Sequence, residues 1–229
     1  MNGLRILSID WDYFFPDSFP YDWGHKEVVF FLEAIWPVRL NNHNIITGEE
    51  AFKAYKPSIP KDFWKRTVKG AALLYVAESH ASITALPFNH AIVTNLDAHH
   101  DCGYGHSTSL ECGNWAHQAG SRIKEFHQVY PSWRKIGSEG PSQRQPDSII
   151  TGLPEQADYD LVFVCRSGCW TPPWYDTRFQ AFLKQSGMET HFMDQYAGKN
   201  RSPNMKAAKV LKVQMDEQFR QLQTGRKVA

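Results

Sequence analysis

Two short apolar segments each lead into closely spaced Asp or His residues, which are types of side chain that can bind metal ions, and this pairing limits the possible folds more than any other feature. Residues 91–93 shortly precede Asp97-Ala98-His99-His100-Asp101, and residues 4–9 precede Asp10-Trp11-Asp12. In an extended strand every second side chain shares one face, so the first motif should direct two carboxylates and one imidazole to the same side. We predict that both apolar segments are buried strands whose ends form one shared site.

Strand-like and helix-like segments alternate along the rest of the chain. Further strands are predicted at residues 133–136, 161–165 and 189–193, whereas residues 71–77 fit either a strand or a buried helix. Helices are predicted at residues 25–35, 49–55, 114–127, 177–185 and about 202–222, with a polar loop at residues 137–154. This alternation favours an α/β fold with a largely parallel sheet, in which ligands bind at the carboxyl ends of strands. The 229 residues, 42% of them hydrophobic, suffice for a single domain spanning residues 1–229.

The charge distribution gives little reason to expect nucleic acid as a partner. The net charge is +1, from 25 basic and 24 acidic residues. Residues 199–229 hold eight Lys or Arg against two acidic residues, so this segment carries +6 and the remainder −5. The basic segment is either a polyanion-binding arm or the solvated face of a helix.

No targeting or membrane segment is expected. Asp10 and Asp12 interrupt the only early apolar stretch, and no run approaches the ~20 apolar residues of a membrane span. The cysteines Cys102, Cys112, Cys165 and Cys169 lack the tight pairing of a zinc ribbon or finger. We expect reduced thiols and a cytoplasmic protein.

The two acidic motifs carry more negative charge than a buried site tolerates alone. Four aspartates contribute −4, and no Lys or Arg lies within four residues of any of them. Burying such charges is costly unless something cationic neutralises them. Two divalent cations balance −4, whereas one would leave two carboxylates uncompensated. Oxygen-rich ligation with some imidazole suits Mn²⁺, although zinc, cobalt and nickel bind such sites more tightly, so the metal is not fixed.

A third segment completes a resemblance to a known family. Ser8-x-Asp10-x-Asp12, Ser79-His80 and Asp97-Ala98-His99-x-Asp101 together resemble the metal motifs of the ureohydrolases, the arginase and agmatinase superfamily, whose sites hold two manganese ions. In ordinary arginases the Ser-x-Asp-x-Asp segment lies near the end of the chain, whereas here it comes first. This permuted order is similar to that of a divergent group that includes the peptide arginases of ribosomal peptide biosynthesis, which convert arginine in a precursor peptide to ornithine. The resemblance covers short segments between residues 8 and 117 and implies a three-layer αβα arginase-like fold.

The resemblance also implies roles for individual residues. His80, Asp97, Asp101 and Asp10 would hold one ion, and His99, Asp97, Asp10 and Asp12 the other, so that Asp10 and Asp97 bridge the pair and act in catalysis. His117 lies in a segment similar to the Gly-Asn-x-His that supplies a proton-shuttling histidine in arginases. Its spacing differs by one residue, and a histidine on a helix surface is the alternative. His100 and His106 are weaker candidates for this role. Glu111 is the candidate for gripping the guanidinium.

The expected function is hydrolysis of a guanidino group. Guanidinium is a poor electrophile, so its hydrolysis needs the strong nucleophile that water becomes between two cations. Arginases use an Asn two places after the last Asp of this motif to hold the α-carboxylate of free arginine, and here that place is Gly103. We therefore expect arginine within a peptide as substrate, with neither a nucleic acid nor a membrane as partner. The loop from Gly103 to Gly113 and the aromatic residues 170–175 could border a peptide groove.

Other functions remain open from the sequence alone. A ureohydrolase acting on free arginine or agmatine would use the same metal ligands. A zinc deacetylase of the same broad fold commonly holds one zinc with fewer carboxylates. A non-catalytic metal-binding or peptide-binding module would retain the motif without activity.

Overall fold

A single seven-stranded sheet organises the protein. The computed structural model describes residues 3–16, 32, 35–36, 55–70, 73–104, 108–137 and 142–202, and positions 210, 213, 214, 217 and 220. The strands in chain order are β1 Arg5–Asp10, β2 Leu73–Ala77, β3 Ala91–Leu96, β4 Ile123–Tyr130, β5 Ser148–Thr151, β6 Leu161–Cys165 and β7 Glu189–Phe192. They lie in the order β5-β4-β3-β1-β6-β2-β7, and every neighbouring pair is parallel. The predicted α/β fold with a parallel sheet is confirmed.

Helices cover both faces of this sheet. The α-helices whose bounds are described are α1 Phe63–Thr67, α2 Trp115–Gln118 and α3 Asp176–Gln185. Short 3-10 helices span Trp11–Phe14, His80–Ala85, Cys112–Asn114, Gly120–Arg122 and Pro173–Tyr175. Residues from α1 and α3 pack in one apolar core, whereas α2 and the 3-10 helix His80–Ala85 contribute to a second core. The architecture is therefore a three-layer αβα arrangement.

Strand alternation divides the two cores. Leu7 and Val162 belong to the core that contains Phe182 of α3, whereas Ile6 and Phe163 belong to the core that contains Trp115 of α2. A fully buried side chain of this size contributes about 1.5 to 3 kcal/mol to folding. Strands with an apolar helix layer on each face need apolar side chains at successive positions, which explains the unbroken apolar run of β6 and the successive apolar residues Ile6 and Leu7 of β1.

Several predicted elements agree with the structure. Residues 71–77, which fit either a strand or a helix, contain β2. The predicted strand at residues 161–165 is β6, the predicted helix at residues 177–185 is α3, and the predicted last strand is β7. Among the described residues, no helix is both long and apolar enough for a membrane crossing.

The predicted helix at residues 114–127 is wrong. Only Trp115–Gln118 is α-helical there, and β4 begins at Ile123. A β-bulge next to Ile123 shifts the pairing with β3, so that Ile123 and Phe126 face the same core although they are three residues apart. The bulge thus produces an apolar spacing that imitates a helix.

The predicted strand at residues 133–136 is also wrong, because no strand begins between the end of β4 at Tyr130 and the start of β5 at Ser148 in the described residues. β5 lies instead within residues 137–154, which were predicted to form a polar loop. All four residues of β5 are exposed, and the strand pairs with β4 alone at the edge of the sheet. Such an edge strand is held by backbone hydrogen bonds and leaves no apolar run in the sequence. The predicted helices at residues 25–35, 49–55 and about 202–222 lie largely outside the described residues. Positions 32, 35, 210, 213, 214, 217 and 220 within them are helical.

Candidate metal centre

The sheet brings the three predicted metal motifs to one edge. Asp10 ends β1, His80 begins the 3-10 helix after β2, and Asp97 directly follows β3. β1 and β3 are neighbours, and β6 alone separates β1 from β2. Parallel strands present their carboxyl ends at the same edge, so motifs far apart in the sequence meet there. All six predicted ligands lie in this cluster: Asp10, Asp12, His80, Asp97, His99 and Asp101.

One half of the cluster surrounds His80. Its Nδ1 lies 3.4 Å from Asp10 Oδ2, 3.1 Å from Asp97 Oδ2 and 2.9 Å from Asp101 Oδ2. The donor atoms of Asp10, His80 and Asp97 all lie within 4.8 Å of one another, and all three residues are buried. This spacing suits the coordination of a single ion.

The other half surrounds His99. Its Nδ1 lies 3.0 Å from Asp12 Oδ2 and 3.7 Å from Asp97 Oδ1. Asp12, Asp97 and His99 form a second group whose donor atoms lie within 4.8 Å of one another. Asp97 belongs to both groups and directs one carboxylate oxygen towards each imidazole, so the geometry fits two ions that share this residue.

Tight turns, rather than strand alternation, produce this convergence. β3 ends at Leu96, and Asp101 adopts a left-handed backbone conformation with φ of 52°. The expectation that residues 97–101 form an extended strand was therefore wrong. Asp97 Oδ1 accepts the backbone N–H of His99 at 2.8 Å, and Asp10 Oδ1 accepts that of Asp12 at 2.9 Å. In both motifs an aspartate closes a turn onto the residue two places later, which is a common conformation of Asp.

Residues outside the predicted set hold these ligands in place. Ser8 Oγ lies 2.6 Å from His80 Nε2, and Trp115 Nε1 donates to Asp101 Oδ2 at 2.8 Å. Ser8 precedes Asp10 by two positions on β1, so the strand pattern could have revealed its shared orientation.

A buried amide pair supports the loop after β3. Asn95 on β3 lies opposite Gln128 on β4, and Asn95 Nδ2 donates to Gln128 Oε1 at 3.0 Å. Gln128 Nε2 in turn donates to the carbonyl oxygens of Asp97 and His99 at 3.2 and 3.0 Å. This support depends on the register between β3 and β4, which no pattern in the sequence indicates.

The buried nitrogen of His80 provides a test of whether the cluster suits a metal. His80 is fully buried, and its Nδ1 has no hydrogen-bond partner, although three carboxylate oxygens lie within 3.4 Å. Nδ1 can meet those carboxylates only by carrying a proton or by sharing a cation with them, because a bare lone pair would face their negative charge. Buried polar atoms are rarely left in this state, and a cation would satisfy the imidazole and the carboxylates together. The donor set therefore fits divalent cations.

The titration of the cluster reflects the same excess of negative charge. Burial, together with the charges of Asp12 and Asp97, raises the pKa of Asp10 well above its usual value. Burial and the charge of Asp97 raise the pKa of Asp12, and they raise the pKa of Asp101 to about 8. Burial would also raise the pKa of Asp97, but the two neighbouring imidazoles outweigh it and hold that pKa below its usual value. The metal-free cluster therefore retains protons where cations would otherwise bind.

The pKa values of the two histidines are set by the neighbouring carboxylates rather than by burial. Burial lowers the pKa of His80 and of His99, but the surrounding carboxylates outweigh it and raise both values well above the usual range. Cation binding must therefore displace protons from this cluster.

The structure describes three of the four residues that were predicted to contact the substrate or to transfer protons. His117 is half-buried on α2, two residues after Trp115. Glu111 caps the 3-10 helix Cys112–Asn114 and accepts a hydrogen bond from Ser109 at 3.1 Å. His100 is buried and stacks on Tyr104, with ring centroids 4.3 Å apart, and His106 lies outside the described residues. None of these contacts assigns a role in the reaction.

Gly103 has a structural reason to lack a side chain. Its φ of 91° favours glycine, and a Cβ would lie 2.2 Å from Gln143 Oε1. An Asn at this position would therefore require the Gln143 side chain to move and would adopt a backbone conformation that strains residues other than glycine.

The loop after β6, which contains the aromatic residues 170–175 predicted to border a peptide groove, also borders the centre. Trp170 lies beside His99, with ring centroids 5.7 Å apart. Arg166 in the same loop is buried and binds Glu78 and Asp176, and Arg201 pairs with Asp176. None of the four cysteines, all of which lie in the described residues, forms a disulfide bond.

No protein-family model, curated protein or solved structure gives a significant match to this chain. The function is therefore argued from the site itself.

Proposed function

We propose that this protein is a hydrolase that binds two divalent cations, with manganese as the expected metal. The proposed reaction converts arginine residues of a peptide to ornithine and releases urea. The observation that carries this proposal is the pair of His/Asp groups that share Asp97, with four carboxylates and two imidazoles in one buried cluster. The resemblance of these motifs to those of the ureohydrolases supports the choice of reaction.

Each ion has a distinct set of proposed ligands. His80, Asp10, Asp97 and Asp101 would hold one ion, and His99, Asp10, Asp12 and Asp97 the other. Two bound cations supply a hydroxide-like nucleophile at neutral pH and neutralise the charge that develops in hydrolysis. The four carboxylates balance the charge of the pair, which favours two ions over one.

The chain's own residues would orient the reacting groups. Ser8 fixes the orientation of His80, and the amide pair Asn95 and Gln128 fixes the loop that carries Asp97 and His99. His117 is proposed to protonate the amine that leaves as the C–N bond breaks. Gly103 has no side chain that could bind the α-carboxylate of free arginine, and this favours a peptide as the substrate.

Metal analysis and a product assay test this proposal together. The purified protein is loaded with manganese and incubated separately with arginine, agmatine and acetyl-Gly-Arg-Gly-amide. We expect two manganese ions per chain and urea from the peptide, accompanied by the mass loss of CN₂H₂. Asp10→Asn serves as the matched inactive control, because it removes one proposed bridging carboxylate with little change in shape. One zinc per chain would favour a deacetylase, and the absence of bound metal would refute the proposal.

A further inference from the structure

A second cluster of buried charges lies next to the segment that leads to His80. Arg166 Nε donates to Glu78 Oε2 at 2.7 Å, and Arg166 Nη1 donates to Asp176 Oδ2 at 3.2 Å. Arg201 Nη2 pairs with Asp176 Oδ1 at 2.6 Å. These four charged side chains are at most 8% exposed. Two carboxylates balance two guanidinium groups, so this cluster, unlike the metal cluster, needs no further cation.

Net stability does not explain these ion pairs. The cost of removing charges from water offsets most of the attraction between them, and apolar residues of similar size often stabilise a core equally well. Ion pairs with defined hydrogen-bond geometry instead restrict the positions of the segments that they join. The cluster is therefore better explained by what it holds in place.

Glu78 joins this cluster to the metal centre. It directly follows β2 and precedes His80 by two residues. Its backbone N–H donates to Asp194 Oδ2 at 2.6 Å, and its carbonyl oxygen accepts the N–H of Ser167 at 3.0 Å. Its Oε1 accepts the N–H of Gly168 at 2.9 Å, while its Oε2 is held by the guanidinium group. Every polar atom of Glu78 is therefore engaged, which fixes the end of β2 against the loop after β6.

The His80 ring packs against the strand that precedes this loop. Phe163 of β6 stacks on the His80 ring, with ring centroids 5.7 Å apart and an interplanar angle of 17°. Ser8 on β1 contacts the ring nitrogen that faces away from the carboxylates. The ring is thus held by β1 and β6, whereas its backbone follows Glu78. A shift of Glu78 relative to β6 would change the distances between His80 Nδ1 and its three carboxylates.

The contact between Glu78 and the loop after β6 is close. A Cβ at Gly168 would lie 2.1 Å from Glu78 Oε1, so a larger residue would displace this carboxylate. Ser167, which bonds the Glu78 carbonyl, has a left-handed backbone conformation with φ of 53°. Such a conformation is costly for residues other than glycine and persists only where the surrounding contacts specify it. The loop is therefore shaped to meet Glu78.

We infer that Glu78 is a positioning residue, which holds His80 at the distance required by the ion that His80 would bind. This inference rests on the proposed function for the presence of two cations. His99 lies on a different loop, after β3. Loss of the Glu78 carboxylate should therefore weaken the ion held by His80 more than the ion held by His99.

Manganese titration of the full, metal-free protein by calorimetry measures the affinity of each ion. Glu78→Gln removes the charge and keeps the size of the side chain, whereas Gly168→Ala displaces the carboxylate without changing any charge. We expect each substitution to weaken one ion about 10- to 100-fold, as is typical of residues that orient a metal ligand, and to leave the other within about threefold. Glu189→Gln is the matched control, because the Glu189 side chain is 73% exposed and should influence neither affinity.

A second aspartate variant identifies the weakened ion. Addition of Asp12→Asn to Glu78→Gln should weaken the remaining ion, because Asp12 is proposed as a ligand of the His99 ion only. If Asp12→Asn instead weakens the same ion as Glu78→Gln and spares the other, the assignment of Glu78 to His80 is overturned.

A double variant separates positioning from stability. Glu78→Met/Arg166→Met replaces the ion pair with apolar side chains and leaves Asp176 paired with Arg201. In the presence of a chelator it should melt within a few degrees of the wild type, because apolar replacement of a buried ion pair is often neutral. It should nevertheless bind the same ion about 10- to 100-fold more weakly. Wild-type affinity for both ions in this variant would overturn the inference.

The remaining outcomes separate this inference from the proposed function. Equal weakening of both ions, or failure of all the Glu78 and Gly168 variants to fold, would assign Glu78 to the fold and overturn its positioning role. A wild type that binds two ions but releases no urea would refute the proposed reaction alone. Unchanged affinities in all variants of an active enzyme would refute the role of Glu78 alone, and absence of manganese binding by the wild type would refute both.

Discussion

Replacement of Asp101 by Asn should stabilise the metal-free protein while weakening metal binding. Burial and the charge of Asp97 raise the pKa of Asp101 to about 8, from an ordinary value of 3.8. Between these two values the folded chain holds a proton that the unfolded chain releases. The free energy of unfolding must therefore fall as the pH rises through this window, by about 1.4 kcal/mol per pH unit.

The size of the effect follows from this window. At pH 7 the raised pKa of Asp101 lowers the free energy of unfolding by about 4 kcal/mol. Asn does not titrate, so the variant avoids this loss. The substitution also removes one of the carboxylates that face His80, which offsets part of the gain. We expect a net stabilisation of about 2 to 4 kcal/mol for the metal-free variant, or an increase in Tm of roughly 10 °C for a chain of this size.

Thermal unfolding measured with and without a chelator tests this expectation. Without metal, Asp101→Asn should melt above the wild type at pH 7, and the difference should vanish near pH 4. With manganese, the wild type should gain more stability than the variant, because the variant lacks one ligand. Asp158→Asn is the control, because the Asp158 side chain is 67% exposed and such substitutions change stability by less than about 0.5 kcal/mol. A metal-free Asp101→Asn variant that melts at or below the wild type at pH 7 would contradict the reasoning.

Three further substitutions probe separate parts of the site. Asp97→Asn should abolish urea release and weaken the binding of both manganese ions, by about a thousandfold if each ion loses about 4 kcal/mol of charge interaction. Equilibrium dialysis measures the metal affinity, and a urea assay measures the activity. Near-normal values in both assays would exclude a bridging role for Asp97. Ser8→Ala should reduce manganese affinity about 10- to 100-fold, because the His80 ring loses the partner that orients it; unchanged affinity in a metal titration would show that the hydroxyl has no such role. His117→Ala should keep both metals and lower the rate of urea release about 10²- to 10⁴-fold, whereas an unchanged rate would place proton transfer on another residue.

The fold class could be predicted because the central strands are buried on both faces. The apolar run of β6 and the successive apolar residues of β1 follow directly from that burial, and both strands were identified from them. The predictions around β4 and β5 were wrong for physical reasons that cannot be read from the order of apolar and polar residues. The bulge beside Ile123 gives β4 a helix-like spacing, and β5 is held by pairing at the edge rather than by apolar burial.

The metal ligands could be predicted from the sequence more fully than the residues that hold those ligands in place. Carboxylates and imidazoles at short spacing are expensive to bury without a cation, so Asp97, His99 and Asp101 were recognisable individually. The contact between Ser8 and His80 joins residues 72 positions apart, and the support from Gln128 depends on the register of β3 and β4. Contacts of this kind follow from the order of the strands, which the sequence does not display.

The order of the strands also decides which loops can reach a substrate. β6 lies between β1 and β2, and β1 carries Asp10 while β2 leads to His80. Because parallel strands end at the same edge, the loop after β6 must emerge between the two metal motifs. Its sequence contains no metal-ligand pattern, yet it places Trp170 against His99, the most accessible ligand. Substitution of Trp170 is therefore expected to change the surroundings of His99 without removing any of the six proposed metal ligands.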